Sequence, residues 1–157
     1  MEETSGYNLK TEVRLNMGGY IATAQTDEWE TPQDLFDRLN EEFHFDLDPC
    51  ATKENAKCKN FFTKEDNGLN KEWFGNVFIN PPFKQVAEWV EKAYDQKKNN
   101  TQIKTIVMLI ASRTDTRWFH NYIYNQAEVR FVKGRVKYKL NGKESVAPFP
   151  SMIVIFK

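Results

Sequence analysis

An α/β fold with a mainly parallel sheet, closed by a C-terminal antiparallel ribbon, is predicted from three features of this sequence. Short apolar runs, chiefly 76–79 (NVFI) and 105–111 (TIVMLIA), alternate with segments whose apolar residues recur at helical spacing. The run 105–111 is continuously apolar and rich in β-branched residues, as a strand covered on both faces requires. Two tetrapeptides, Asp48-Pro49-Cys50-Ala51 and Asn80-Pro81-Pro82-Phe83, stand directly after predicted strands. Open α/β sheets bind their ligands at such strand ends.

The elements follow in order. Residues 1–26 lack sustained periodicity, contain Gly18-Gly19, and read as a flexible N-terminal arm. One domain then spans 27–157. Thr31-Pro32-Gln33-Asp34 has the form of a helix start, with Thr31 as N-cap and Pro32 in the first helical position. Leu35, Phe36, Leu39 and Phe43 share one face of that helix. Residues 43–47 alternate as a short strand that stops at Asp48-Pro49. Residues 50–74 read as one irregular loop anchored by Phe61, Phe62 and Trp73, and a loop of that length in a compact domain is usually functional. The strand 76–79 runs into Asn80-Pro81-Pro82-Phe83. A helix follows with Val86, Trp89, Val90, Ala93 and Tyr94 on one face, ended by Lys97-Lys98-Asn99-Asn100. After the strand 105–111, Thr114 or Asp115 caps a helix that buries Trp118, Phe119, Tyr122 and Ile123. Residues 128–132 form a fourth strand. Residues 135–140 and 152–156 flank Asn141-Gly142 and Pro148, and are expected to pair antiparallel.

Composition limits the function. The chain has 157 residues, about one domain. With 40% hydrophobic and 14% aromatic residues it is no disordered tail. No apolar run approaches the ~18 residues of a membrane span, and the polar N-terminus carries no signal peptide. Two cysteines build no disulfide framework, which fits a reducing cytoplasm. Cys50, Cys58 and His44 match no common zinc spacing, so no metal is expected. Acids and bases balance at 22 each, against a general polyanion binder. The bases are nevertheless clustered: Arg130, Lys133, Arg135, Lys137, Lys139 and Lys143 occur in a stretch free of acids.

Asn80-Pro81-Pro82-Phe83 carries the chemistry. Two prolines fix the backbone and remove two donors, so the Asn80 and Pro81 carbonyls are available to a guest. The Asn80 side chain adds an acceptor and Phe83 a flat apolar face. Paired acceptors beside an aromatic ring suit a planar base with an exocyclic amine, and base stacking contributes ~1–3 kcal/mol. An aromatic amine is a poor nucleophile because its lone pair is delocalised. Acceptors on both N–H groups favour a tetrahedral nitrogen and stabilise the positive charge that grows as it attacks. Neither His44 nor His120 is required.

These motifs together resemble the phage-type DNA N6-adenine methyltransferases. The likeness runs through Trp29-Glu30-Thr31-Pro32, Phe45-Asp46-Leu47-Asp48-Pro49-Cys50-Ala51, Phe61-Phe62-Thr63-Lys64-Glu65-Asp66 and Asn80-Pro81-Pro82-Phe83. It continues through Ala111-Ser112-Arg113-Thr114-Asp115-Thr116, Arg130-Phe131-Val132-Lys133-Gly134-Arg135 and Ala147-Pro148-Phe149-Pro150-Ser151. The resemblance implies a reduced Rossmann-like methyltransferase sheet, S-adenosylmethionine as donor, and adenine N6 in double-stranded DNA as acceptor. It implies a phage or prophage enzyme working in the bacterial host cytoplasm. It gives Asn80, Pro81, Pro82 and Phe83 the catalytic roles, and Thr31, Pro32, Asp48, Pro49, Cys50, Ala51 and Asp66 the cofactor roles.

The wider superfamily has a Gly-rich turn after its first strand, whereas Asp-Pro-Cys-Ala-Thr here has none. The loop before the NPPF strand is also too short for two further strand–helix units, since a βαβ unit takes about 30 residues. The edge of the adenosine pocket therefore falls to residues 61–66.

An adenine inside a duplex is out of reach and must be flipped. The expected DNA contacts are Arg113, Arg130, Lys133, Arg135, Lys137 and Lys139, with Lys57, Lys59 and Lys64 of the long loop. Arg113 serves equally well as a loop brace. The same tetrapeptide chemistry also serves cytosine N4, RNA adenine or a protein glutamine, and a non-catalytic DNA-binding relative is the remaining alternative.

Overall fold

The computed structural model describes residues 29–157. The expected arm over 1–26 lies outside the described residues. A six-stranded sheet runs in the order β2-β1-β3-β4-β8-β5. Its strands are β1 (Leu47–Asp48), β2 (Asn60–Phe61), β3 (Gly75–Ile79), β4 (Ile103–Ala111), β5 (Glu128–Phe131) and β8 (Ser151–Phe156). β2, β1, β3 and β4 are parallel, and β8 lies antiparallel between β4 and β5. The mainly parallel, Rossmann-like sheet expected from the alternating pattern is therefore present.

β4 is the centre of the molecule. From Ile106 to Ala111 every residue is buried, as is all of β8. One face of the sheet packs against α2 (Val86–Asn99) through Trp89, Val90 and Ala93, with Ile106, Met108 and Ile110 beneath. The other face packs against α1 (Gln33–Phe43) through Phe36 and Leu39, with Val107 and Leu109 beneath. Alternate β4 side chains thus enter opposite cores, as a period of two demands.

Four local expectations are corrected. Thr31 is not the N-cap of α1; Pro32 holds that position, and no side chain caps the helix. The stretch 43–47 is not a strand. Phe43 ends α1, His44 turns with φ 52°, and only Leu47–Asp48 pair. The helix after β4 is a π turn over Phe119–Ile123 with Trp118 in the N-cap position, so neither Thr114 nor Asp115 caps it; the Thr116 hydroxyl accepts the Phe119 N–H (3.3 Å). The largest correction concerns the C-terminal ribbon. The strand 135–140 does not pair with 152–156. β6 (Lys137–Leu140) pairs with β7 (Lys143–Val146) across Asn141-Gly142, both at positive φ, as a tight two-residue hairpin requires. β8 instead fills the slot between β4 and β5, because a strand that is apolar from Met152 to Phe156 is stable only where both faces are covered.

The loop 50–74 also contains more order than expected. β2 adds a parallel strand at the sheet edge, and a 3₁₀ turn covers Gly68–Asn70. Trp73 is buried, with its indole N–H on the Gly68 carbonyl (2.8 Å).

Candidate active site

A cleft of about 590 Å³ opens at the carboxyl ends of β1, β2 and β3. Ligand pockets for small molecules run ~300–1,000 Å³. One wall is the turn after β1, Pro49 to Thr52; the opposite wall is Asn80, Pro82, Lys84 and Gln85. Thr63, Lys64, Asn67, Gly68 and Leu69 close one end, with Asn55, Trp89 and Trp29 completing the lining.

The position of Asn80 follows from its neighbours. It leaves β3 at the sheet edge, and its amide N–H donates to the Trp29 carbonyl (2.7 Å). That bond orients the side chain, so Oδ1 is the free end. Oδ1 is buried and has no hydrogen-bond partner. A buried acceptor without a partner costs ~1–3 kcal/mol, so such an atom marks a place built for a donor. The Pro82 carbonyl is used within the following turn, by the Gln85 N–H (3.0 Å). The Pro81 carbonyl, one position earlier, is outside that bond. Phe83 is half-buried, with its ring edge-on to Trp29 (5.3 Å) and Phe149 (4.8 Å). These rings fix its attitude rather than leave it free to rotate.

A second unpartnered polar atom belongs to a residue that lines the cleft. Trp89 lines it, and the Trp89 indole N–H is buried without an acceptor. The lining residues thus hold an unpaired acceptor and an unpaired donor, as fits a polar, flat guest with both kinds of group.

The turn after β1 is built differently. Asp48 is buried, and both of its oxygens are occupied, by the Cys50 N–H (3.2 Å) and the Lys57 N–H (3.5 Å). Burial nevertheless pushes its carboxyl up to about 6, against those two bonds and the Lys57 charge. The Phe62 N–H reaches the Asp48 carbonyl, and the Ala51 N–H reaches the Phe62 carbonyl. Lys57 pairs with Glu30 (3.0 Å) and reaches Gln33 (2.9 Å), which ties the loop to the segment before α1. Lys57 is therefore a brace and is unavailable to DNA. Burial raises both free thiols, Cys58 to about 12 and Cys50 further, so neither is a nucleophile at neutral pH. Among the described residues no three His, Cys, Asp or Glu side chains gather as a metal site.

Gly68 supplies the close approach that the glycine-free β1 turn does not. A Cβ at position 68 would sit 2.0 Å from the Pro49 carbonyl oxygen and 3.1 Å from the Trp89 ring. Only glycine lets this segment lie against the turn. The sequence signal was one lone glycine in the loop, and sequence reasoning did not single it out. Trp89 belongs to the helix core that its spacing predicts and also lines the cleft, a position with no sequence signature.

Of the residues singled out from the sequence, Pro49, Cys50, Ala51, Lys64, Asn80 and Pro82 line the cleft. Pro81, Phe83, Thr31, Pro32, Asp48 and Asp66 stand behind it or beside it. Thr31 is buried, and Asp66 accepts from both the N–H and the hydroxyl of Thr63 (2.9 Å each), closing the turn that carries Lys64.

The basic residues separate into two groups. Arg130 is spent: it forms a two-pronged pair with Glu42 (2.7 and 2.8 Å), donates to Glu128 (2.6 Å), and covers the Phe43 ring. Arg113, Lys133, Arg135, Lys137 and Lys139 are exposed. On β6 the alternation is plain, with Tyr138 buried against Trp29 (5.6 Å) while Lys137 and Lys139 face solvent. Lys137 stands 3.7 Å from Glu144 across the hairpin, a weak exposed pair. The Glu30 and Lys139 backbones exchange two hydrogen bonds, which pins the ribbon beside the Asn80 corner.

A parallel sheet with a cleft at its carboxyl edge, and an oriented, unpaired amide oxygen beside an aromatic cluster, define a Rossmann-like protein built to bind a flat polar ligand. The chain belongs to the DNA N-6-adenine-methyltransferase (Dam) family, whose description matches residues 19–157. It is 32% identical over 134 residues to the DNA N-6-adenine-methyltransferase of Escherichia phage T1, covering 83% of this chain and 55% of that protein. It is 34% identical over 138 residues to the enzyme of the same name from Haemophilus phage HP1, covering 83% and 79%. A putative methyltransferase of Escherichia coli, YfdM, is 38% identical over 65 residues, covering 36% of this chain and 71% of that protein. Among solved structures, a putative RNA methyltransferase from Pyrococcus horikoshii aligns at a TM-score of 0.42 and 14% identity, covering 63% of this chain and 50% of that one.

Proposed function

We propose that this chain transfers a methyl group from S-adenosylmethionine to the N6 amine of an adenine extruded from double-stranded DNA. The observation that carries this is the Asn80 side chain, oriented by Trp29 and left with a buried, unpaired Oδ1 on the cleft. Family membership supplies the substrate class, and the two phage relatives carry the name of that activity.

The residues that would hold the cofactor are the wall formed by Pro49, Cys50, Ala51, Gly68 and Trp89. When bound, S-adenosylmethionine supplies an electrophilic methyl group on a sulfonium. Asn80 Oδ1 accepts one hydrogen of the adenine amine, and the Pro81 carbonyl accepts the other. Both bonds pull the nitrogen toward tetrahedral geometry, turn its lone pair outward and offset its growing positive charge. Phe83 offers the ring against which the base rests. Prearranged acceptors do this without a general base, because the methylated nitrogen is strongly acidic and its surplus proton passes to water; the His120 ring is already engaged with the Thr114 carbonyl (2.8 Å).

DNA would lie along the carboxyl edge of the sheet and the outer face of the ribbon, where Arg113, Lys133, Arg135, Lys137 and Lys139 are exposed. Arg130 is withdrawn from that set by its two carboxylate partners. The place of action is the bacterial cytoplasm that holds the DNA; among the described residues no helix is long and apolar enough to cross a membrane.

The test is expression in a host lacking adenine methylation, followed by mapping of methylated adenines and digestion of the DNA to nucleosides. N6-methyladenosine at a defined sequence is the expected result. N4-methylcytosine, or label in RNA or protein only, would overturn the acceptor. No transfer with purified protein and varied DNA would make the chain a binder.

A further inference from the structure

Phe131 is the most exposed large apolar side chain among the described residues, at 69%. It is not on a loose loop. Its backbone pairs with Met152 of β8, and the next N–H, of Val132, bonds to the Ser151 carbonyl (3.0 Å). Lys133, Gly134 and Arg135 follow it, all exposed, with Gly134 at φ +77° turning the chain. Among the described residues neither Lys133 nor Arg135 pairs with a carboxylate. A rigidly mounted aromatic ring with two unpaired cations behind it is complementary to stacked bases flanked by phosphates.

Its place in the sheet matters more. β5 runs in the same direction as β3, so Phe131 ends its strand at the edge where Asn80 ends β3. The order β3-β4-β8-β5 puts three strand spacings between them, about 14 Å. Arg113, at the end of β4, lies between. Flipping turns a nucleotide ~180° about its backbone and leaves a gap in the stack beside the extruded base. A group gripping the extruded base and a group filling the vacated gap therefore stand apart along one edge of the protein, as Asn80 and Phe131 do.

We propose that Phe131 is the wedge that enters the DNA stack at the position vacated by the flipped adenine, with Lys133 and Arg135 on the adjoining phosphates. The inference rests on the proposed DNA-adenine reading and deepens it. Insertion of an apolar side chain between base steps replaces part of the lost stacking and blocks the base from swinging back.

The test uses the full chain and a duplex carrying 2-aminopurine at the adenine mapped as methylated. Wild type should raise the 2-aminopurine fluorescence on binding. Phe131→Ala should lose most of that rise and at least about fivefold in kcat/KM on duplex DNA, the scale of one lost stack. Phe131→Trp should restore both. Affinity for S-adenosylmethionine and the salt dependence of DNA binding should be unchanged in both variants. Flipping by Phe131→Ala at the wild-type level would overturn the wedge while leaving the methyltransferase reading intact. A parallel loss of cofactor affinity, or no rescue by tryptophan, would show a merely structural ring and also overturn it. A concentration-dependent dimer abolished by Phe131→Ala, with flipping preserved, would assign the face to a second copy instead. If no adenine is methylated at all, the underlying reading fails and the wedge goes with it.

Discussion

The turns after β1 and β3 invite comparison, because both begin with a short polar residue followed by proline at the carboxyl end of neighbouring parallel strands. After β1, both Asp48 oxygens are consumed by loop N–H groups, and the residue faces inward on the loop it shapes. After β3, Asn80 gives its amide to Trp29 and keeps its oxygen unpaired. The first turn spends its polar capacity on building a wall; the second withholds one acceptor for a guest. The difference lies in the following residues. Cys50 and Lys57 return N–H groups to Asp48, whereas Pro81 and Pro82 have none to return to Asn80.

The comparison breaks first at Asn80. Asn80→Ala should lower methyl transfer by about 10²–10³-fold, the cost of removing one prearranged polar group at a reacting centre. Cofactor affinity, measured by calorimetry, should stay near wild type. Retained turnover would remove the distinction between the two turns.

Asp48 offers the next test. Its folded carboxyl lies at about 6 against an ordinary 3.8, so the folded chain binds that proton more tightly than the unfolded chain. Relative to Asp48→Asn, wild-type unfolding free energy should therefore fall as pH rises from about 4 to 6, by up to about 3 kcal/mol, and stay level above. Denaturant unfolding of both proteins across that window checks it. A rising difference would mean that the carboxylate is favoured where it stands.

Gly68→Ala attacks the wall directly. The added methyl meets the Pro49 carbonyl, so the β1 turn must move, and cofactor affinity should weaken about tenfold with a lowered Tm. Reversing charge at Lys137 and Lys139 is the mildest change. It should reduce the salt slope of DNA binding by up to about two, one for each phosphate that is no longer neutralised. Arg130→Ala, its partners being Glu42 and Glu128, should leave that slope unchanged. The pair of measurements sharpens the division between bases that face the solvent and bases already spent.

Much of the fold was legible because its signals are local. The apolar run of β4, the helical spacing of Val86, Trp89, Val90 and Ala93, and the proline turn after β3 each depend on residues close in the chain. The pairing of the ribbon was misread because two β-prone segments and a turn signal do not say which partner wins. Asn141-Gly142 closes a hairpin of its own, and β8 gains more from complete burial beside β4 than from an exposed ribbon. The short β2 strand was missed because two residues carry no periodicity.

Composition and motif order, by themselves, determined an α/β chain and singled out Asn80-Pro81-Pro82-Phe83 as the turn where the proposed chemistry would sit, since prolines and amides act within one turn of backbone. Tertiary structure alone decided that Asn80 presents its oxygen, that Arg130 is neutralised by Glu42, that Gly68 must be glycine, and that Phe131 stands on the same edge as Asn80. Each of these depends on which distant groups arrive within about 3 Å, and hydrogen bonds, ion pairs and close approaches are set by that arrival rather than by neighbours in sequence.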